Sequence, residues 1–262
     1  MSVGNGTYLD RIIAEHRVRA LADRRSVEQL FAEAVLLPET RGFRSSLSQP
    51  ALSVIAEIKR RSPSKGDLFV DLNPAVLARE YATGGAACIS VLTDEANFGG
   101  SQTDLEMARD AVKLPVLRKD FTVDERDVLD ARLMGADAVL LIVAALSKQE
   151  LERFFSLSGE LGLDALVETH DEAELETALE IGAELIGVNQ RNLITFEVDH
   201  ERAARMAELI PDDVIAVAES GVRGPADAAT LRQAGYAAIL VGETLVTSGD
   251  ATAAVAALRE AV

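Results

Sequence analysis

Glu57, Lys59, Lys119, Glu168, Asn189, Glu219 and Ser220 stand at the ends of short apolar runs, about one strand–helix unit apart along the chain. Val54-Ile55-Ala56 leads into Glu57 and Lys59, Pro115-Val116-Leu117 into Arg118 and Lys119, and Ala165-Leu166-Val167 into Glu168. Ile186-Gly187-Val188 leads into Asn189 and Arg191, and Ala216-Val217-Ala218 into Glu219 and Ser220. Carboxylates and ammonium groups are the side chains of general acid–base chemistry. A closed parallel barrel gathers the carboxyl ends of all its strands at one mouth, so these distant residues would face one substrate. Each has a structural alternative. Glu57 and Lys59 share a face of an extended strand and could form a plain ion pair. Lys119 could be a loop charge, and Glu168 a helix-start carboxylate favoured by the macrodipole.

The elements that would position them follow from periodicity. Short β-branched runs alternate with amphipathic stretches, the pattern of repeated βαβ units. Strands are predicted at 53–58, 87–92, 115–118, 137–142, 164–168, 185–189, 214–218 and 237–241. Gly85, Gly135, Gly182 and Gly235 each precede one of them, where glycine can end a helix in the left-handed conformation. Eight units favour an α/β fold of (β/α)8 barrel type, and no Gly-x-Gly-x-x-Gly follows the first strand to support a dinucleotide fold. Residues 1–50 are expected to be a helical extension of one domain spanning 1–262. Leu9, Ile12, Ile13, Val18 and Leu21 fall roughly on one helical face, and Ser26 with Gln29 reads as a capping box. That extension could close the bottom of the barrel, flank its mouth or meet another copy.

Composition bounds the partners. The chain has 262 residues, is 48% apolar and carries a net charge of −17, which weighs against nucleic acid. A local basic group can still oppose that field, and Lys59, Arg60, Arg61, Lys65, Arg118, Lys119 and Arg191 fall near strand ends. The longest apolar run, 138–146, is too short to cross a bilayer. Met1 to Gly6 lack signal-peptide character, and a cytoplasmic protein is expected. Cys88 is the only cysteine and reads as a core residue. His16, His170 and His200 show no metal-ligand spacing, so no metal is expected. A Schiff-base lysine stays open, since Lys59 or Lys119 beside apolar neighbours could have a lowered pKa. Gly221 after the seventh strand and Gly242 after the eighth stand where such barrels bind phosphate through backbone N–H groups.

Taken together, these motifs resemble the indole-3-glycerol phosphate synthase family. Residues 55–64 match its signature around the first strand. Phe98-Gly99-Gly100-Ser101, Leu117-Arg118-Lys119-Asp120-Phe121, Val167-Glu168, Val188-Asn189 with Arg191, Ala218-Glu219-Ser220-Gly221 and Val241-Gly242-Glu243 follow in order. The resemblance implies a barrel enzyme without cofactor or metal. It would close the ring of 1-(2-carboxyphenylamino)-1-deoxyribulose 5-phosphate, then decarboxylate and dehydrate it. By the same resemblance Lys119 is the general acid at the ketone and Glu168 the later base. Lys59 contacts the anionic substrate and shares in proton transfer, tuned by Glu57 and Glu219. Asn189 and Ser220 position substrate, and Arg191 faces the anthranilate carboxylate. Ser62, Gly221, Gly242 and the backbone of Glu243 fit the phosphate, while Phe98 and Phe121 wall the aromatic ring. Neighbouring cations and burial that lower the Lys119 pKa would strengthen it as an acid. Asn192 stands where an Asp often follows the arginine, and Glu243 where many relatives have Ser. The small sugar-phosphate substrate is the expected partner, with no nucleic acid or membrane. A monomer is expected, with a weak homodimer as the alternative. Two rivals remain: a phosphate-binding isomerase such as phosphoribosylanthranilate isomerase, which commonly uses a cysteine early in the barrel, and a non-catalytic phosphate binder.

Overall fold

The computed structural model describes residues 7–63, 65–192 and 197–261. Met1 to Gly6 and Ser64 of the first-strand motif therefore lie outside the described residues. Eight parallel strands close into a barrel: β1 (Ser53–Ile58), β2 (Cys88–Leu92), β3 (Val116–Lys119), β4 (Ala138–Ile142), β5 (Asp164–Thr169), β6 (Leu185–Asn189), β7 (Ile215–Glu219) and β8 (Ala238–Val241). Pairing of Val54 with Ile239 and of Ile55 with Cys88 closes the ring through β1. The expected strands are all present, each within about a residue of its forecast limits. The sequence reading had no place for one further element, a ribbon of Arg61–Ser62 against Gly66–Asp67 just beyond β1.

Side-chain alternation decides which residues face where. Ile55, Cys88, Leu117, Leu166, Leu185, Val217 and Leu240 fill the barrel interior. Their neighbours Val54, Ile89, Val116, Val167, Ile186, Ala218 and Val241 pack outward under the helices. Two residues beyond an interior position is again interior, so Glu57, Lys119, Glu168, Asn189 and Glu219 point into the barrel at its carboxyl end. Arg118 has the opposite parity and turns outward, donating to the Asp127 carbonyl and to Asp120.

The helices are α1 (Tyr8–Ala22), α2 (Val27–Ala34), α3 (Phe43–Leu47), α4 (Pro74–Gly84), α5 (Glu95–Phe98), α6 (Gln102–Ala111) and α7 (Glu125–Leu133). After these come α8 (Lys148–Glu160), α9 (Glu172–Glu180), α10 (Arg202–Ala207), α11 (Pro225–Gln233), α12 (Glu243–Val246) and α13 (Ala251–Arg259). Gly85, Gly135, Gly182 and Gly235 all have positive φ, as their place before a strand demands.

The segment before β1 serves both ends of the barrel. Phe43 and Leu47 of α3 are fully buried against the interior residues at the bottom. There the Arg44 backbone N–H donates to Asp164 and that of Arg41 to Asp137. At the other end α1 lies beside the mouth, burying Leu9, Ile12 and His16. Val18 and Leu21, forecast on the same face, are 66% and 78% exposed. The buried stripe follows i, i+3 and i+7 from Leu9, which leaves both on the far side. Ser26 caps α2 by accepting from the Gln29 N–H, but the reciprocal bond of the expected capping box is missing and the Ser26 hydroxyl donates to Glu28.

Candidate active site

A cavity of about 370 Å³ opens at the carboxyl ends of the strands. Every predicted site residue lines it: Glu57, Lys59, Ser62, Phe98, Lys119, Phe121, Glu168, Asn189, Arg191, Glu219, Ser220, Gly221, Gly242 and Glu243. Its walls also include Leu92, Leu140, Ile142 and Leu240 from the strands. Tyr8, Leu9 and Ile12 of α1 close one side, a contribution that amphipathicity alone could not locate.

Two ionic groups occupy the floor. Lys59 Nζ lies 2.6 Å from Glu57 Oε1. Lys119 Nζ lies 3.0 Å from Glu168 Oε2 and 3.4 Å from Glu219 Oε2. Glu168 Oε1 accepts from Asn189 Nδ2 at 3.0 Å. Two glycines make this crowding feasible. A Cβ on Gly187 would stand 2.0 Å from Glu219 Oε1, and one on Gly242 would stand 2.2 Å from Glu57 Oε1.

Charge distribution follows from burial and from these neighbours. Burial alone would lower the Lys119 pKa, but Glu168, Glu219 and Glu57 outweigh it and hold the ammonium firmly protonated. The cations that would have strengthened Lys119 as an acid are not its neighbours: the groups around it are carboxylates. Its firm protonation also argues against Lys119 as a free-amine Schiff-base nucleophile in the resting protein. Burial favours protonating Glu168, yet Lys119 and His170 overcome it and keep that carboxyl ionised. Glu219 is pushed up to about 8 by burial, against the pull of Lys119 and with the Glu168 charge adding to the rise. Its Oε1 is buried without a hydrogen-bond partner. Two carboxyls beside one ammonium thus favour holding a single extra proton, with Glu219 the one driven toward its protonated form.

The remaining lining residues include two aromatic rings, an arginine and two glycines. Phe98 and Phe121 stand 6.3 Å apart between ring centroids. The Arg191 N–H donates to Asn189 Oδ1, and its backbone bridges to Val198. Ser62 is buried and its hydroxyl accepts from the Lys65 N–H. Lys65 Nζ reaches Glu243 Oε1 at 3.4 Å. Gly221 has φ of 76°, and a Cβ there would meet Val198 Cγ1 at 2.4 Å. The space freed by the missing side chains of Gly221 and Gly242 is thus taken by Val198, Glu57 and Lys59. What both positions leave to a ligand is backbone. Ser220 itself has φ of 67°, a strained value for a residue with a side chain, and Gln190 Nε2 holds its carbonyl at 2.8 Å.

Several basic residues read as a possible anion cluster do other work. Arg60 forks onto Asp104 and donates to the carbonyls of Val70 and Leu72. Arg61 donates to the carbonyls of Glu95 and Ala96. With Arg118 turned outward, Lys59, Lys65, Lys119 and Arg191 are the members of that group that line the cavity. The histidines lacked metal-ligand spacing along the chain, yet folding brings His16, Asp94 and Asp120 within 4.8 Å of one another. Their ligand atoms are engaged already: Asp94 accepts from Asn97, and Asp120 from Arg118 and Thr93. His16 Nε2 stands 3.4 Å from Asp94, and its ring tilts against Phe121 at 5.3 Å, fastening α1 to the mouth. Cys88 lies among the interior residues near the Phe43 carbonyl, not in the cavity.

Solved structures share the architecture. Thiamine phosphate pyrophosphorylase from Pyrococcus furiosus aligns with TM-score 0.60 at 19% identity, covering 80% of this chain and 94% of that one. N-acetylmannosamine-6-phosphate 2-epimerase from Clostridium perfringens gives 0.61 at 13% identity, covering 78% and 91%. At such identities the likeness speaks for the barrel alone. Sequence relatives are far nearer. An indole-3-glycerol phosphate synthase of Nocardioides sp. is 51% identical over 95% of this chain and 96% of its own length. Another, from Streptomyces coelicolor, is 51% identical over 89% and 90%. The family model described as indole-3-glycerol phosphate synthase matches residues 9–258, from α1 to α13 and so across every residue of the cavity floor. The chain belongs to the indole-3-glycerol phosphate synthase family.

Proposed function

We propose that this protein converts 1-(2-carboxyphenylamino)-1-deoxyribulose 5-phosphate to indole-3-glycerol phosphate, carbon dioxide and water, in tryptophan biosynthesis. One observation carries the assignment of roles: the Lys119 ammonium meets the carboxyl groups of both Glu168 and Glu219 on one cavity floor. The Lys59–Glu57 pair shares that floor.

Ring closure makes a bond between the aromatic carbon and the ketone carbon, and negative charge develops on the ketone oxygen. Lys119 supplies the proton there. Its raised pKa is no obstacle, because a developing alkoxide is a stronger base than any amine. Carbon dioxide leaves as the carboxylate carbon–carbon bond breaks and its electrons return to the ring. Glu168 then takes a proton as the hydroxyl departs as water, with Lys59 or Glu219 giving the proton that water carries away. Acid and base are paired in the resting protein, so substrate must part them. Drawing Lys119 toward the ketone removes the cation that suppresses Glu168, making the lysine more acidic and the glutamate more basic together.

Arg191 would meet the anthranilate carboxylate and Phe98 and Phe121 the ring. Ser62 and the backbone of Gly221, Gly242 and Glu243 would hold the phosphate. Asn189 and Ser220 would fix the substrate's orientation. Neither rival reading gains from the geometry. An isomerase using an early cysteine would need Cys88 in the cavity, and a binder has no use for a proton-poised carboxyl pair. We further read the chain as one domain with residues 1–50 as its extension, acting as a monomer in the cytoplasm. Among the described residues no helix is long and apolar enough to cross a membrane. Purified protein mixed with the carboxyphenylamino substrate should develop indole fluorescence. Folded protein that leaves the substrate unchanged would refute the proposal.

A further inference from the structure

His170 follows β5 immediately and does not line the cavity, yet it stands directly behind Glu168. Its Nε2 is 3.2 Å from Glu168 Oε1, and its Nδ1 is 2.9 Å from Glu174 Oε2. The same Glu174 oxygen accepts the His170 backbone N–H at 2.8 Å, so ring and main chain are gripped by one carboxylate. Nε2 makes an ion-pair contact with Glu168 but no aligned hydrogen bond, and has no other partner. We propose that His170 is a positioning residue for the reaction: Glu174 braces the imidazole, which in turn fixes the orientation and charge of the Glu168 carboxylate. This inference rests on the reading of Glu168 as the base.

The arrangement is carboxylate, imidazole, carboxylate. Each ring nitrogen faces an oxygen, which suits the doubly protonated ring, with an N–H toward each partner. Burial would lower the ring's pKa, but Glu168 and Glu174 raise it to about 9. Among the described residues these are the charged groups acting on the ring. Lys119 and Glu219, from β3 and β7, reach it through Glu168. Glu168 thus has a mobile cation in front, which the ketone can take, and a fixed one behind, which it cannot. The fixed cation keeps the carboxylate ionised when Lys119 is drawn away, and stops the single extra proton from moving over from Glu219. Asn189 Nδ2 and the His170 ring both meet Glu168 Oε1, while Lys119 meets Oε2, so the two carboxylate oxygens have different partners.

The variants are His170→Gln, which keeps a hydrogen-bonding group but loses the charge, and Glu174→Gln, which leaves the ring and an acceptor beside it but removes the negative charge that holds it protonated. The readouts are the pH profiles of kcat and KM, and an NMR titration of the His170 ring in the unsubstituted protein. Losing a cation at this distance raises a carboxylate pKa by about one unit or more. In His170→Gln the acid limb of kcat should therefore move up by that amount. The loss should be about tenfold greater on the acid limb than at pH 8, with KM nearly unchanged. Glu174→Gln should shift the limb the same way, and the double variant no further than His170→Gln alone. A ring that only packs would, when replaced, lower stability or scale kcat equally at every pH. The idea is overturned by an unmoved acid limb in folded His170→Gln, or by a ring that titrates near the free histidine value. Should His170→Gln not fold, Glu174→Gln and the ring titration decide. Should the unsubstituted protein lack turnover, the reading of the site fails, while the ring titration still judges the contact between His170 and Glu168.

Discussion

Glu219→Gln is the substitution that tests the charge arrangement of the floor most directly. Glu219 titrates at about 8 in the folded protein, against an ordinary value of 4.5. Between those two values the folded chain holds a proton that the unfolded chain has released. The contribution of this group to stability is therefore complete below about pH 4.5 and is lost as pH rises toward 8. One proton corresponds to a slope of up to about 1.4 kcal/mol per pH unit. Glutamine is uncharged and nearly the shape of the protonated acid, so the variant should fold without that slope. Stability from urea denaturation would be measured for both proteins between pH 5.5 and 7.5. The wild-type value minus the variant value should fall by up to about 3 kcal/mol across that window, while other titrating groups largely cancel in the difference. Two parallel curves, or a difference that grows with pH, would show that Glu219 is already ionised and that the extra proton lies elsewhere.

Other perturbations follow from the same geometry. Lys119→Met should cut kcat by about 10²–10⁴-fold with a much smaller change in KM, the size of effect general acid catalysis commonly has; near-normal indole formation would show the acid is misassigned. Gly242→Ala should fold, because its Cβ would strike the mobile ends of Glu57 and Lys59. Its kcat/KM should nevertheless fall by at least about tenfold as that pair is displaced, and an unaltered rate would detach the pair from the reaction. Ser220→Gly removes the cost of a positive φ and should raise stability by about 1 kcal/mol, read by thermal melts, even as turnover drops with the lost hydroxyl.

The barrel was legible because its strands obey a period of two and end at residues with chemical side chains. From Ile55 or Leu117, counting two onward reaches Glu57 or Lys119, and the same parity that aims them inward made them visible. Contacts between elements left no such mark. Nothing in the order of residues could show that Arg60 would be spent on Asp104, or that Lys119 would sit among carboxylates. Val18 and Leu21 fitted a helical stripe that is not the buried one, since a helix does not declare which partner it will meet. His170 escaped notice for a related reason. Its role depends on Glu174 one helical turn later and on a rotamer of Glu168, while its spacing resembled no metal site.

The extension before β1 imposes an order on synthesis. Tyr8 bonds to Asn97, His16 to Asp94, Arg17 to Glu150, Arg41 to Asp137 and Arg44 to Asp164. This segment therefore leaves the ribosome before its partners and waits for them, since domains emerge at only about 5–20 residues per second. Until then Leu9, Ile12, Phe43 and Leu47 have no surface to cover them. A nascent chain halted before β2 would carry both ends of this clasp undocked, and so present greasy segments to chaperones that the finished barrel conceals.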